Sequence, residues 1–302
     1  MIRQSPASGL GRSMPLAGIG WMLLTGLLFV GVTGIVRHLG SDMGAGQAAF
    51  VRYAFGLILL MPVFVYQRPP GGFVSRRIGL HALRGLVHGA AVMLWFYAMA
   101  RIPIAQVTAL GFTAPIFTTV GAALFLGERL QARRIGAVLI AFAGALIILR
   151  PGLVAINPGA LAQLAAAPLF ATSFLLAKKL TETEPSATIV AYMAVFVTLA
   201  LLPPALVVWR PPTPEELVWL CATAVLATLG HYTLTRAFRA ADITVTQPFS
   251  FLQLVWATLL GFYLFGERPD VWTWIGGAII VASATYIAHR ESRRREDRGR
   301  AA

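Results

Sequence analysis

Arg52 is the only charged residue in the stretch 46–66, which is otherwise apolar and wide enough to cross a bilayer. At 1.5 Å per residue it would sit roughly 9 Å inside a helix end. A guanidinium held there can receive a substrate carboxylate through a bidentate pair. It can equally cap carbonyls of a neighbouring helix or snorkel along its own stem. Farther on, Arg84, His88, Ala91 and Trp95 recur at the spacing that places them on one helical face. Such a face offers cation–π contact through Trp95 and a proton-coupling candidate in His88, whose type titrates near neutral pH. The structural alternative is that Trp95 fills packing space and His88 hydrogen-bonds a neighbour. Two further stripes, Gln106, Leu110, Thr113 and Phe117, and Gln247, Phe251, Leu254 and Thr258, set amides and hydroxyls among apolar groups. They can orient a bound molecule without the cost of burying ions, or bond helix to helix.

This chemistry is recognition rather than catalysis. The chain contains no Gly-x-x-x-x-Gly-Lys-Ser/Thr phosphate loop, no His-Glu-x-x-His metal site and no Gly-x-Ser-x-Gly nucleophile elbow. Cys221 stands alone, which excludes an internal disulfide or a cysteine cluster. The expectation is therefore a protein that is not an enzyme, uses no cofactor or metal, and does not draw on ATP.

The elements that must carry these residues follow from composition. Of 302 residues, 57% are hydrophobic and 12% charged, against roughly 25% charged in soluble domains. Apolar runs bounded by charges, Pro and Gly predict helices over 16–36, 46–66, 80–100, 103–126, 132–150, 158–177, 187–209, 215–235, 243–265 and 271–289. The first is read as a retained helix rather than a signal peptide, because it is long and nine more follow. The fold class expected is an all-α integral membrane protein of ten transmembrane helices. Sorting Lys and Arg onto the two sides puts 19 with the termini and five opposite, with Arg52 inside a helix. By the positive-inside rule both termini are then cytoplasmic. The net charge of +13 reflects this bias and a basic tail over 290–302, read as a disordered topology anchor near lipid headgroups, not a nucleic-acid surface.

The chain also repeats itself. Ala122-Ala-Leu-Phe-Leu-Gly-Glu-Arg129 returns 139 residues later as Gly261-Phe-Tyr-Leu-Phe-Gly-Glu-Arg268. Five helices per half is odd, so the second half, 151–289, would enter the membrane inverted relative to the first, 1–150. Inverted repeats are an architecture of secondary transporters, with the substrate near the midplane where the halves meet. Trp21 and Phe170 join the cavity candidates as repeat-related positions on the first and sixth helices. Pro115 and Pro248 interrupt helical hydrogen bonding and are gating candidates, although Leu254 stands where Pro115 would align. Ala137, Ala141 and Ala145 follow small-xxx-small spacing for close helix approach. Glu128-Arg129 and Glu267-Arg268 are expected to form local ion pairs at helix ends.

Arg52 in the second segment, Pro115 in the fourth, Gly127-Glu128-Arg129 followed by Gly136, and the second copy at Gly266-Glu267-Arg268 together resemble the EamA-type drug/metabolite transporter superfamily. Phe50-Val-Arg-Tyr-Ala54, His81-Ala-Leu-Arg-Gly85, Trp95-Phe-Tyr-Ala98 and Arg236-Ala-Phe-Arg-Ala240 resemble its branch of S-adenosylmethionine carriers and amino-acid exporters. The resemblance implies a secondary transporter of a small amphiphilic, often zwitterionic, metabolite in a bacterial-type inner membrane, its partners being substrate and membrane lipid. Uptake and export are both compatible with it, as are proton coupling, exchange and facilitated diffusion. S-adenosylmethionine uptake and drug efflux are the alternative activities. A non-transporting scaffold is the competing class, and it predicts that the polar faces pack shut.

Overall fold

A computed structural model describes residues 15–40, 42–66, 75–114, 116–117, 132–150, 156–240, 249–250 and 252–300. Among these residues there are ten helices and no strand: α1 (Pro15–Leu39), α2 (Ala45–Tyr66), α3 (Ile78–Met99), α4 (Ile104–Gly111), α5 (Ala132–Leu149), α6 (Pro158–Leu180), α7 (Ser186–Val207), α8 (Pro214–Ala240), α9 (Leu252–Phe265) and α10 (Val271–Arg300). Six of them, α1, α2, α3, α6, α7 and α8, are long and apolar enough to cross a membrane. The helices start where local chemistry directs. Asn157 accepts a 2.8 Å bond from the Gly159 amide ahead of α6, with Pro158 at its first position. Thr213 and Glu216 exchange side-chain-to-backbone bonds in a capping box before α8. The last helix runs on through the basic tail to Arg300, where disorder was expected. Its Arg and Glu residues are good helix formers, and no Pro interrupts them.

Small residues sit inside and large ones outside, as expected where lipid is the solvent. Ala49, Ala98, Ala166, Ala227 and Ala237 are buried, while Leu27, Leu139, Leu199 and Tyr263 point outward. Backbones consequently approach closely. A Cβ at Gly85 of α3 would stand 2.2 Å from Phe196 of α7, and one at Gly276 of α10 would stand 2.5 Å from the Gly144 carbonyl of α5. The α5–α10 seam thus closes through Gly144 and Gly276, beside the buried Ala145. The side chains of Ala137 and Ala141 lie outside the described residues.

The most extensive packing is of α1 on α8, α3 on α6 and α5 on α10. The helix pairs largely exchange into one another when α1–α5 are swapped for α6–α10. Thus α1·α8 becomes α3·α6, α2·α8 becomes α3·α7, and α1·α9 becomes α4·α6.

At one face Glu267 gathers four helices, and not through its sequence neighbour Arg268. Gly266, at φ 62°, turns the chain after α9 in the left-handed region that glycine tolerates. Glu267 is thereby returned toward the bundle. It pairs with Arg37 at the end of α1 at 2.7 Å and accepts the Ile104 amide at the start of α4 at 2.8 Å. A carboxylate there also meets the positive end of the α4 dipole. Arg37 in turn donates to the Met99 carbonyl, closing α3 into the group at 2.9 Å. The end of α6 repeats this last contact: Lys178 donates to the Phe238 carbonyl of α8 at 2.9 Å. Glu128 and Arg129 lie outside the described residues. On the Glu267 side, Arg150 pairs with Asp270 at 2.6 Å. Burial works to raise the Asp270 pKa, but hydrogen bonds from Thr273 and the Arg150 charge outweigh it and hold the carboxyl below its ordinary value.

Two stability effects follow. Gly276→Leu forces α10 off α5 and should cost about 1–3 kcal/mol, read as a lower unfolding midpoint of the detergent-solubilised protein. Glu267→Ala strands Arg37 and uncaps α4, and should cost about 1.5–3 kcal/mol by loss of hydrogen bonds to a charged group. Arg268→Ala should leave the same midpoint unchanged.

Candidate functional site

A cavity of about 230 Å³ lies between the two halves of the chain. From the first half, α1 contributes Met22, Thr25, Phe29 and Thr33, and α2 contributes Arg52 and Tyr53. The α3 wall is His88, Val92, Trp95 and Phe96, and the segment from α4 onward adds Thr108, Gly111 and Ala114. From the second half come Gln163, Phe170 and Phe174 of α6, Ala227, His231, Leu234 and Phe238 of α8, and Ser250 and Gln253 at α9.

The periodicity that builds these walls is helical. His88, Val92 and Trp95 are spaced by four and three residues, as are Ala227, His231 and Leu234. A shift of 139 residues carries the first set onto the second, and likewise Gly111 and Ala114 onto Ser250 and Gln253. On α1 a shift of 141 carries Met22, Phe29 and Thr33 onto Gln163, Phe170 and Phe174. Corresponding positions of the two halves therefore line one space. The register breaks at α2. Arg52 and Tyr53 correspond to Ala191 and Tyr192 of α7, which do not line the cavity, so the charge is contributed from one side.

At the cavity wall the aromatic rings form a chain. His88 stands edge-on to Phe170 at 5.4 Å, to His231 at 5.1 Å and to Tyr53 at 6.3 Å, and His231 is edge-on to Phe29 at 5.2 Å. The Arg52 guanidinium lies 3.8 Å from the Tyr53 ring centroid. His88 Nδ1 and the Ser173 hydroxyl are 3.0 Å apart. Among the described residues, four buried polar atoms of lining side chains have no hydrogen-bond partner: Tyr53 Oη, His88 Nε2, Gln163 Oε1 and His231 Nδ1. Leaving each unsatisfied costs about 1–3 kcal/mol. Such concentrations mark a place where water or a ligand completes the bonding.

Of the expected site residues, the structure brings Arg52, His88, Trp95 and Phe170 to this cavity. Arg84 lies one turn below His88, fully buried, donating to the Ile189 carbonyl at 3.2 Å. Trp21 lies beside the site, with the Arg236 guanidinium 5.1 Å from its ring. Thr113 turns its hydroxyl back to the Leu110 carbonyl at 2.7 Å, and Gln106 is half-buried away from the lining. Gln247, Phe251, Pro115 and Pro248 lie outside the described residues. Tyr53, Gln163, His231 and Phe29 line the cavity without having been singled out, although the 139-residue shift applied to Val92 points directly at His231.

A family model for EamA-like transporters matches the chain twice, over residues 16–150 and 157–288. The chain belongs to the EamA-like transporter family. Among its relatives, a riboflavin transporter of Vibrio cholerae is 32% identical over 285 residues, covering 93% of this chain and 95% of that one. An S-adenosylmethionine uptake transporter of Rickettsia bellii is 30% identical over 276 residues, with 91% and 94% covered. A pseudopaline exporter of Pseudomonas aeruginosa is 28% identical over 278 residues, with 90% and 96% covered. A crystal structure of a protein 19% identical to this EamA-like chain aligns with a TM-score of 0.60 over 93% of this chain and 99% of the other, and shows the shared fold. The EamA-like chain is thus a multi-pass integral membrane protein and a membrane transporter.

If the cavity admits water, its wall differs in reactivity from the lipid face. In a Cys221→Ser background, Phe170→Cys should react with a membrane-impermeant thiol reagent, whereas Leu229→Cys on the outward surface of α8 should not. Equal protection of both would show the cavity closed to solvent.

Proposed function

We propose that this protein is a secondary transporter that moves a small organic metabolite by alternating access, one half rocking against the other about the central cavity. The halves are assigned as 1–150 and 151–289, inverted with respect to one another, with both termini and the basic tail 290–302 cytoplasmic in a bacterial-type inner membrane. The observation that carries this reading is the cavity itself, because equivalent positions of both halves line it. Further support comes from the exchangeable helix contacts and from the paired Arg37–Met99 and Lys178–Phe238 bonds. Asn157 at the start of α6 reaches the Arg101 carbonyl beyond α3 at 3.4 Å. This fits a sixth helix entering from the face at which the third ends.

The substrate class is an amphiphilic metabolite, amino acid or amino-acid-derived, whose carboxylate pairs with Arg52. S-adenosylmethionine uptake and drug efflux are the alternatives, the former supported by the name of the Rickettsia relative. Coupling to a pH gradient, where present, would act through His88, whose ring, like that of its neighbour His231, combines an unpartnered nitrogen with a place on the cavity wall. Neither ATP nor nucleic acid has a role in this scheme.

Purified protein in liposomes should show saturable exchange of labelled solute without ATP, with Trp95→Ala and Arg52→Ala each reducing it severely. A panel of amino acids, S-adenosylmethionine and riboflavin under imposed pH gradients identifies substrate and coupling together. No transport of any panel member or of a broader metabolite set would contradict the proposal.

A further inference from the structure

Arg52 is the one charged residue among the described residues that line the cavity, and it is 5% exposed. Among the described residues it has no ion pair, and its contact is the Tyr53 ring. One helical turn beneath His88 a second guanidinium, that of Arg84, is buried and, among the described residues, bonded to the Ile189 carbonyl without an ion pair. Among the described residues, no Asp or Glu lines the cavity to balance either charge. A guanidinium in a low-dielectric setting favours an opposite charge strongly and disfavours a like one. The cavity interior is therefore electropositive, with Arg52 as the accessible centre of that charge.

The remaining wall is aromatic. Phe170 and Phe174 stack at 6.1 Å with 18° between their planes, and Phe29 and Trp95 border the same space. Flat, π-rich walls suit a flat, conjugated body through offset or edge-on contact. The volume of about 230 Å³ is below the range of roughly 300–1,000 Å³ usual for drug-sized ligands. It matches a molecule of one or two rings.

We infer that the preferred substrates are small aromatic acids of net negative charge, with Arg52 receiving the anionic group and setting charge selectivity. This rests on the cavity's being the substrate site proposed above, and narrows its chemistry. The substrate anion supplies the counter-charge that the protein withholds. A cation of the same shape would instead meet two fixed positive charges, with no carboxylate among the described lining residues to receive it. A zwitterion falls between them.

Binding to the full-length detergent-solubilised protein tests the charge preference with three probes sharing a phenyl ring: 3-phenylpropionate, phenylalanine and phenethylamine. The acid should bind at least about tenfold more tightly than the amine, with the zwitterion between. Arg52→Gln should bring that ratio to about one, chiefly by weakening the acid, and Arg52→Lys should retain the order. Equal or tighter binding of the amine by the unaltered protein overturns the inference, whether or not either variant folds. So does an unchanged ratio in a monodisperse Arg52→Gln protein. Exchange of the same probes in proteoliposomes reads the transport proposal separately. A preserved binding order without any exchange would support the charge selectivity while contradicting transport.

Discussion

A charge inside a bilayer must be compensated, and the way this chain handles Arg52 governs the arrangement around it. Ion pairs elsewhere satisfy their members directly: Arg37 with Glu267, Arg150 with Asp270 and Arg210 with Glu216, all near helix ends. Arg52 has no such partner among the described residues and lies against a cavity instead. An unpaired guanidinium is tolerable in a membrane where water or a ligand reaches it. The cavity is thus a requirement of the buried charge as well as the proposed place of substrate. The unpartnered atoms of Tyr53, His88, Gln163 and His231 extend the same argument to uncharged groups.

Around that centre the scaffold spends its closest packing where no chemistry takes place. Glycine-mediated backbone contact holds α3 to α7 and α5 to α10, and small residues fill much of the interior. The carboxylate of Glu267 joins α1, α4 and α9 and, through Arg37, α3. Rigid seams of this kind let a bundle move as a body, which is what alternating access asks of its parts.

Much of this was legible in the sequence because hydrocarbon imposes a simple grammar. Mostly apolar runs of bilayer length announced the six long helices, and the recurrence of Gly-Glu-Arg announced the repeat. The α3 stripe set His88 and Trp95 on one face, since helical spacing decides that without tertiary information, and both line the cavity. The partners of Glu267 were not legible: Arg268 is adjacent in sequence, but the left-handed turn at Gly266 sends the carboxylate to Arg37, 230 positions away. Gln106 and Thr113 shared a spacing-based stripe with Leu110. The helix is interrupted by a turn at Phe112 and Thr113, and the Thr113 hydroxyl closes on the Leu110 carbonyl, so Thr113 spends its polar group on its own backbone rather than on the cavity. His231 escaped notice because it corresponds to Val92, and polarity is not conserved between the two copies even where position is.

Opposed movement of the two faces is the central claim, and distance measurement by paired spin labels tests it most directly. With Cys221 replaced, one cysteine pair at Leu16 and Lys179 reports the first helices of the halves at one face, and a second at His38 and Ile156 reports them at the other. In membranes, adding a transported solute should redistribute both distances with opposite sign, one face closing as the other opens. A single unresponsive distance at each face, or changes of the same sign at both, would contradict alternating access.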